Sequence, residues 1–404
     1  MKLLQINTSL NKGSTGRIAE QIGLQAITTG IDSYIGYGRG CLNSKNKVIK
    51  IGGEKDVYRH IMQTRLMDNH GFSSISATKK FIQEIEAIQP DIIHLHNIHG
   101  YYLNIDILFK YLNKKKVPVV WTLHDCWPLT GHCAHFDFVN CHKWQTECNY
   151  CPNTKAYPKS LFFDRSKQNY YRKKELFTSK KEIVFITPSQ WLADIVKQSF
   201  LKDYPVQVIP NGIDLSVFSP QQESEIRSKY KINAKNIILG VANVWSQRKG
   251  LDDFLKLSNL LSNEQCILLV GLKKEEQKKL PTNIIGIDKT ENIKELAAFY
   301  SLADVFVNPT WVDNFPTTNI EALACGTPVV TYNTGGSPEA IDTNTGIVVE
   351  KGDIKGLYNA IINICKDGKA LYSESCRKRA EKEFNMKDKF QKYIDLYHKI
   401  NINE

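Results

Sequence analysis

WVDNFPTTNIEALACGTPVVTYNTGGSPEAI, residues 311–341, sets two carboxylates, Asp313 and Glu321, eight positions apart. It follows them with a run of small residues, Gly-Thr-Pro, a β-branched run and two more glycines. The short apolar run VFVNP lies just before it, NIEALAC has helical spacing, and PVVTYN reads as a second strand. Strand, polar loop, helix and strand make one turn of a parallel α/β unit. The polar residues fall just beyond strand ends, where open α/β sheets bind their ligands.

The same grammar recurs on both sides. Strands at IILGVAN, CILLVG and NIIGI come before it, helical stretches fit 250–260, 291–300 and 319–325, and a further helix fits 354–365. In the first half KLLQIN leads through LNKGSTGR into a helix over 18–28, and a helix over 78–88 leads into DIIHLHN. The lysines at 114–116 precede VPVVWTLHD, EIVFITPS runs into a helix from Trp191, and VQVIPNGID closes the half. These runs are short, β-branched and not strictly alternating, as strands buried on both faces are. The polar segment FSPQQESEIRSKYKINAKN then separates a second unit, and the last thirty residues read as one or two closing helices. A chain of 404 residues exceeds what one hydrophobic core normally serves. The expected fold is therefore α/β, two Rossmann-like domains with doubly wound parallel sheets facing a cleft.

Composition narrows the function classes. The start, MKLLQINTSLNKGSTG, turns polar after Ile6, and no stretch approaches the roughly 18 apolar residues of a membrane span, so a secreted or spanning protein is not expected. The net charge is +11, and residues 1–200 hold 27 basic against 16 acidic side chains while the rest hold 26 of each. A basic half suits a solubilising surface, an anionic membrane, a phosphorylated substrate or nucleic acid, and charge by itself does not choose among them. Five of ten cysteines fall between Cys126 and Cys151. Cys41, Cys266, Cys325, Cys365 and Cys376 are scattered, as buried thiols of a reducing compartment are.

Four groups of residues could carry chemistry. Gly13-Ser14-Thr15-Gly16-Arg17, read as a loop between first strand and first helix, suits a close phosphate or a plain tight turn; its spacing is not that of a dinucleotide fingerprint. Arg248 and Lys249, behind IILGVA and ahead of a helix, suit a diphosphate, Arg as a rigid fork and Lys as a point charge, or merely cap that helix in solvent. His124, with Asp125 beside it at the end of VVWTLHD, suits proton transfer, a hydrogen bond to a sugar, or a structural role. Asp313 and Glu321 either cap a helix or accept hydrogen bonds from sugar and ribose hydroxyls, with the loop of Gly335 and Gly336 supplying further backbone N–H groups. His94, His96 and His99 share a strand end without an adjacent carboxylate partner, which weighs against a metal there. GHCAHFDFVNCHKWQTECNYCP spaces Cys133, Cys141, Cys148 and Cys151 by eight, seven and three residues in an irregular stretch. A structural zinc, two disulfides and unlinked thiols all fit that spacing.

On the Asp313-x7-Glu321 pair, ALACGTPVV behind it, the Arg248-Lys249 pair, Gly16, His124 and Pro210-Asn211-Gly212-Ile213-Asp214, the chain resembles retaining glycosyltransferase family 4. Where that family usually has Glu and a Phe-Gly pair, this chain reads Asp-Asn-Phe-Pro. The cysteine-rich stretch after HDCWPLTGHC resembles a subgroup of bacterial polysaccharide-assembly transferases. The resemblance implies the GT-B fold: an acceptor-binding domain over 1–210, on which a helix over 385–404 packs back, and a donor-binding domain over 211–384. It implies transfer of a hexose from a nucleoside diphosphate sugar to a saccharide or lipid-linked saccharide, with no catalytic cofactor and no nucleic-acid partner. Arg248 and Lys249 would hold the donor phosphates, Asp313 the sugar, Glu321 the ribose, with Gly16 and His124 near the reaction centre. A cytoplasmic protein, peripheral on the inner membrane face, would follow from the basic half. A sugar-nucleotide epimerase or phosphorylase of similar fold, or a zinc-organised binding protein, are the rival readings.

Overall fold

The computed structural model describes residues 1–222 and 224–402. The chain forms two compact units, one of residues 1–210 with the described residues from Lys389 onward, the other Asn211–Asp388. Among the described residues no helix is long and apolar enough to cross a membrane.

Unit 1 is built on β1 (Lys2–Asn7), β2 (Asp32–Tyr37), β3 (Lys47–Lys50), β4 (Ile92–Leu95), β5 (Val119–Thr122), β6 (Ile183–Thr187) and β7 (Val206–Val208). The sheet order is β3-β2-β1-β4-β5-β6-β7, with every pair parallel. β4 and β5 are buried at every position, which is why their sequences carry no polar alternation. Trp121 of β5 meets Phe177 edge-on at 4.9 Å and Phe109 at 5.7 Å, filling the layer between sheet and helices.

The edges of this unit differ from the sequence expectation. β2, β3 and the helix Glu54–Met67 have no counterpart among the elements expected from sequence; nor does the helix Ile105–Lys114, although it buries Ile105, Leu108, Phe109 and Leu112 on one face. β3 is a four-residue edge strand with most positions exposed, and the helix Glu54–Met67 buries only His60 and Thr64. Neither presents an apolar face to read. The first helix spans Gly13–Thr28, so residues 13–17 are its opening turn and not a loop before it. The chain turns earlier, at Asn11, which takes the left-handed conformation that Asn tolerates (φ 48°).

Unit 2 repeats the plan with β8 (Asn236–Val241), β9 (Gln265–Val270), β10 (Ile284–Ile287), β11 (Val305–Asn308), β12 (Val329–Tyr332) and β13 (Gly346–Val349), ordered β10-β9-β8-β11-β12-β13 and all parallel. In each sheet the strand order reverses once, between β1 and β4 and between β8 and β11. Loops leaving those ends go to opposite faces and open a crevice, so the two strand pairs mark where each unit can hold a ligand.

Two closing helices follow, Ala370–Phe384 and Met386–Ile402; residues 403–404 of the expected 385–404 helix lie outside the described residues. The amide of Ile213 donates to Phe384 (2.7 Å) and that of Met386 to Ile213 (3.1 Å), clasping the outgoing and returning chain. Tyr393 and Tyr397 of the last helix are buried in unit 1, and the Tyr397 hydroxyl hydrogen-bonds with His94 Nδ1 at 2.6 Å.

That contact belongs to a set of buried imidazoles. His94 Nε2 meets Thr122 Oγ1 (2.8 Å), His96 meets Gln5 (3.0 Å), His60 meets Ser74 (2.8 Å), and His70 accepts the Gly100 amide (3.3 Å). Burial holds His60 down to about 3 and His70, His94 and His96 well below the ordinary histidine value of 6.5. These rings are neutral in the folded chain and take up a proton on unfolding, so the folded state loses ground as pH falls below the unfolded value. His132 works in the opposite sense: burial presses it down, but its bond to Asp68 outweighs that and raises it. All ten histidines lie in unit 1, at positions 60 to 142 and 398. Lowering the pH from about 7.5 to about 5.5 should destabilise unit 1 by on the order of 1 kcal/mol per buried neutral histidine per pH unit below about 6.5. Calorimetric unfolding of the full chain should show that shift in one transition and leave the transition of unit 2 in place; equal shifts in both would contradict it.

Candidate active site

Three loops of unit 2 meet at the carboxyl ends of β8, β11 and β12. After β8, Gln247–Lys249 makes a single 3-10 turn ended by Gly250 at φ 75°, and a Cβ there would stand 2.2 Å from the Pro309 carbonyl oxygen. After β12, Gly335 takes φ 55°, and a Cβ there would stand 1.9 Å from the Asp313 carbonyl oxygen. Only glycine permits either approach, by its conformation and by its missing side chain. Main-chain bonds then tie the loops together: Trp311 N–H to the Arg248 carbonyl (2.8 Å) and Gly336 N–H to the Asp313 carbonyl (3.2 Å). Thr334 Oγ1 donates to the Thr310 carbonyl (2.8 Å) and completes the set.

The charged groups sit on this frame. Lys249 Nζ donates to Asp313 Oδ2 at 2.5 Å, with side chains 24% and 20% exposed. Arg248 Nη1 donates to the Val312 carbonyl at 3.0 Å, which leaves the rest of the guanidinium fork to other partners. The two cations and the first acid predicted from sequence therefore form one cluster.

Glu321 lies apart from the helix start. It is in the second turn of Thr317–Ala324, buried, and accepts a hydrogen bond from the Tyr300 hydroxyl at 2.8 Å. A capping role for it does not fit that position. Below the loops runs a polar network that the sequence reading missed. Asn308 Nδ2 donates to Asn319 Oδ1 (2.8 Å), Asn319 Nδ2 to the Ser337 carbonyl (3.1 Å), and Ser337 Oγ shares a hydrogen bond with Thr331 Oγ1 (2.8 Å). All four side chains are buried, and the network pins the ends of β11 and β12 to the helix between them.

In unit 1 the expected partnership of His124 with Asp125 is not what forms. His124 Nε2 hydrogen-bonds with His96 Nδ1 (3.0 Å), the rings stacked at 5.3 Å, while Asp125 pairs with His99 Nε2 (2.8 Å) and accepts the Trp127 amide (2.9 Å). Burial pushes His124 down to about 4, so its ring is neutral at neutral pH. Burial alone would raise Asp125, but the neighbouring His99 brings it down to about 2. Gly16 is buried in the first helix, where a Cβ would stand 2.9 Å from Ser9 Oγ, so its bareness admits the passing loop of residues 8–12. A cavity of about 720 Å³ in the same unit is lined by Arg39, Lys50 and Lys55 with Tyr37 and Tyr58. The four cysteines of the irregular stretch line one small pocket, and all ten thiols are free.

Residues 38–217 match the family model described as Glycosyltransferase Family 4, and residues 235–367 the one described as Glycosyl transferases group 1. WcaC of Escherichia coli K12, to which a colanic acid biosynthesis glycosyl transferase role is provisionally ascribed, is 26% identical over 99% of this chain and 100% of its own. Sucrose-phosphate synthase from Thermosynechococcus elongatus shares the fold over 100% of both chains, with a TM-score of 0.74 at 17% identity. HepE of Anabaena, solved in complex with UDP, does so over 99% of this chain and 100% of its own, with a TM-score of 0.70 at 15% identity. By its two family models and its two-sheet fold the chain is a glycosyltransferase with the fold of family 4, resembling the transferases of bacterial polysaccharide biosynthesis.

Proposed function

We propose that this enzyme moves a hexose, with retention at the anomeric carbon, from a nucleoside diphosphate sugar held by unit 2 to a saccharide or lipid-linked saccharide held by unit 1, in the assembly of a bacterial surface polysaccharide. The observation that carries the donor half is the main-chain lock between the Arg248 and Asp313 loops. It fixes two cations and an acid beyond β8 and β11, the switch point of the sheet.

In this reading the diphosphate takes Lys249 from Asp313, and Asp313 turns to a sugar hydroxyl. As the sugar–oxygen bond breaks, negative charge grows on the departing diphosphate, and the Arg248 fork and Lys249 stabilise that state more than the ground state. These cations supply the positive charge that a catalytic metal supplies elsewhere, so none is invoked. Glu321 accepts from the ribose, and the Gly335-Gly336 turn offers its amides. His124, neutral and held by His96, orients hydroxyls; a base near pH 7 would need a higher pKa.

For the acceptor, the cavity with Arg39, Lys50 and Lys55 beside two tyrosines matches the chemistry of a sugar phosphate, cations for the phosphate and ring faces for the sugar. It lies in the half of the chain that carries the charge excess. The protein would then work in the cytoplasm, peripherally on the inner membrane face, with no nucleic-acid partner.

The decisive experiment is calorimetric titration of UDP, GDP and ADP. One nucleotide should bind selectively, and R248A/K249A, by losing two charge-assisted contacts of about 1.5–3 kcal/mol each, should weaken it at least about a hundredfold. No binding of any nucleotide to the parent protein would reject the donor site. G335A, which forces a Cβ against the Asp313 carbonyl, should cost on the order of tenfold in the same affinity while unit 2 still unfolds cooperatively. Sedimentation with vesicles should rise with their anionic lipid content and fall with salt; binding indifferent to both would remove the membrane from the proposal.

A further inference from the structure

We propose that Cys133, Cys141, Cys148 and Cys151 are the four thiolate ligands of a structural zinc ion that holds the segment 123–165 of unit 1 in shape. This segment joins β5 to the helix Ser166–Ser179, and its regular structure consists of three short 3-10 turns, Trp127–Leu129, Asp137–Val139 and Lys143–Gln145. So long an irregular connection inside a compact unit needs an organising contact.

The four sulfurs supply the place for one. Though spread over 19 positions, they line a single pocket of about 10 Å³, enough for one small sphere, whose other walls include His132, Phe136 and Trp144. Cys126, seven residues before Cys133, is buried but does not line the pocket.

A second observation comes from beside the thiols. His132 lines the same pocket, is buried, and its Nε2 has no hydrogen-bond partner, an arrangement that is costly unless something occupies the pocket. Its Nδ1 is fixed by Asp68 at 2.6 Å, and Asp68 in turn accepts the Arg165 amide at 2.8 Å. Asp68 thus fixes the ring beside the sulfurs, where a protonated Nε2 can donate to a metal-bound thiolate from outside the ligand set. Four thiolates around a divalent ion leave two negative charges, and the buried ammonium of Lys173, held by the carbonyls of Trp127 (2.8 Å) and Thr130 (3.0 Å), lies where it can offset them. Among the described residues no three such groups are already spaced to hold a metal ion, so the thiols must draw in around it. Soft sulfur ligands in a closed pocket select zinc over magnesium or calcium.

The position gives the ion its consequence. The segment also supplies Trp127, whose amide fixes Asp125 (2.9 Å), and Tyr157, whose hydroxyl meets His99 (2.9 Å), so its order reaches the strand end that carries His124.

The test uses the full chain, purified without chelator from zinc-supplemented medium. Elemental analysis should give one zinc per chain, released in step with mercurial titration of four thiols. Cobalt(II) exchanged into the site should show the sulfur-to-metal absorption of a tetrathiolate. C148S/C151S should drop the zinc content at least about tenfold, since a four-coordinate site does not survive on two ligands, while C41S/C365S should keep it. Zinc-free parent protein that takes up neither zinc nor cobalt, or non-reducing peptide maps showing the four cysteines joined as disulfides, would overturn the proposal. UDP titration reads unit 2 by itself, so this result and the donor site stand or fall separately.

Discussion

The strand-end loops of unit 2 depend on two carbonyl oxygens, those of Pro309 and Asp313, each approached by a glycine of a neighbouring loop so closely that a Cβ would stand 2.2 Å and 1.9 Å away. That contact lets three strand-end loops close on one another, and the amide bonds of Trp311 and Gly336 keep them closed. The Lys249–Asp313 ion pair is then a result of the frame and not its cause. A partly exposed pair contributes about 0–1 kcal/mol, less than the backbone bonds around it together. Charges held by backbone can exchange partners without loosening the loops, which is what a site must do when an anionic ligand enters between a cation and an acid.

Legibility in the sequence followed the same division. Central strands buried on both faces announced themselves as apolar runs, and the Asp313–Glu321 spacing marked out the loop after β11 and the helix that follows it. What escaped was whatever depends on exposure or on distant pairing. β3 and the helix Glu54–Met67 lack an apolar face, and the Asn308–Asn319–Ser337–Thr331 network joins four segments whose residues are unremarkable one at a time. The adjacency of His124 and Asp125 misled for a geometric reason. The chain bends just past β5, and in that bend His124 reaches His96 while Asp125 reaches His99.

Unit 1 is held differently. Its stabilising polar contacts run through side chains, and imidazole recurs because a neutral ring offers one donor and one acceptor and so can continue a chain of hydrogen bonds through a dry interior. Tyr397, His94, Thr122 and Tyr393 form one such chain; Gln5, His96 and His124 form another, ending at a partly exposed ring. The rings of His94 and His96 lie tilted at 37° with centroids 4.0 Å apart, so His96 is kept neutral by burial and also by its neighbours His94 and His124.

This difference bears on how the two units can change. In unit 2 the loops are tied by main-chain bonds above the buried Asn308–Asn319–Ser337–Thr331 network, so exposed side chains on them can vary while the frame persists, but Gly250 and Gly335 cannot. In unit 1 the frame is made of the side chains themselves, so a substitution at His94, His96 or Gln5 leaves a buried polar atom unpaired, at a cost of about 1–3 kcal/mol. Sequence variation is therefore easier in the irregular segments, 123–165 and the rim of the Arg39 cavity, than in the strand ends. A segment free to vary in sequence needs a fixed point that does not depend on that sequence, and a cluster of four cysteines meets that need with four positions.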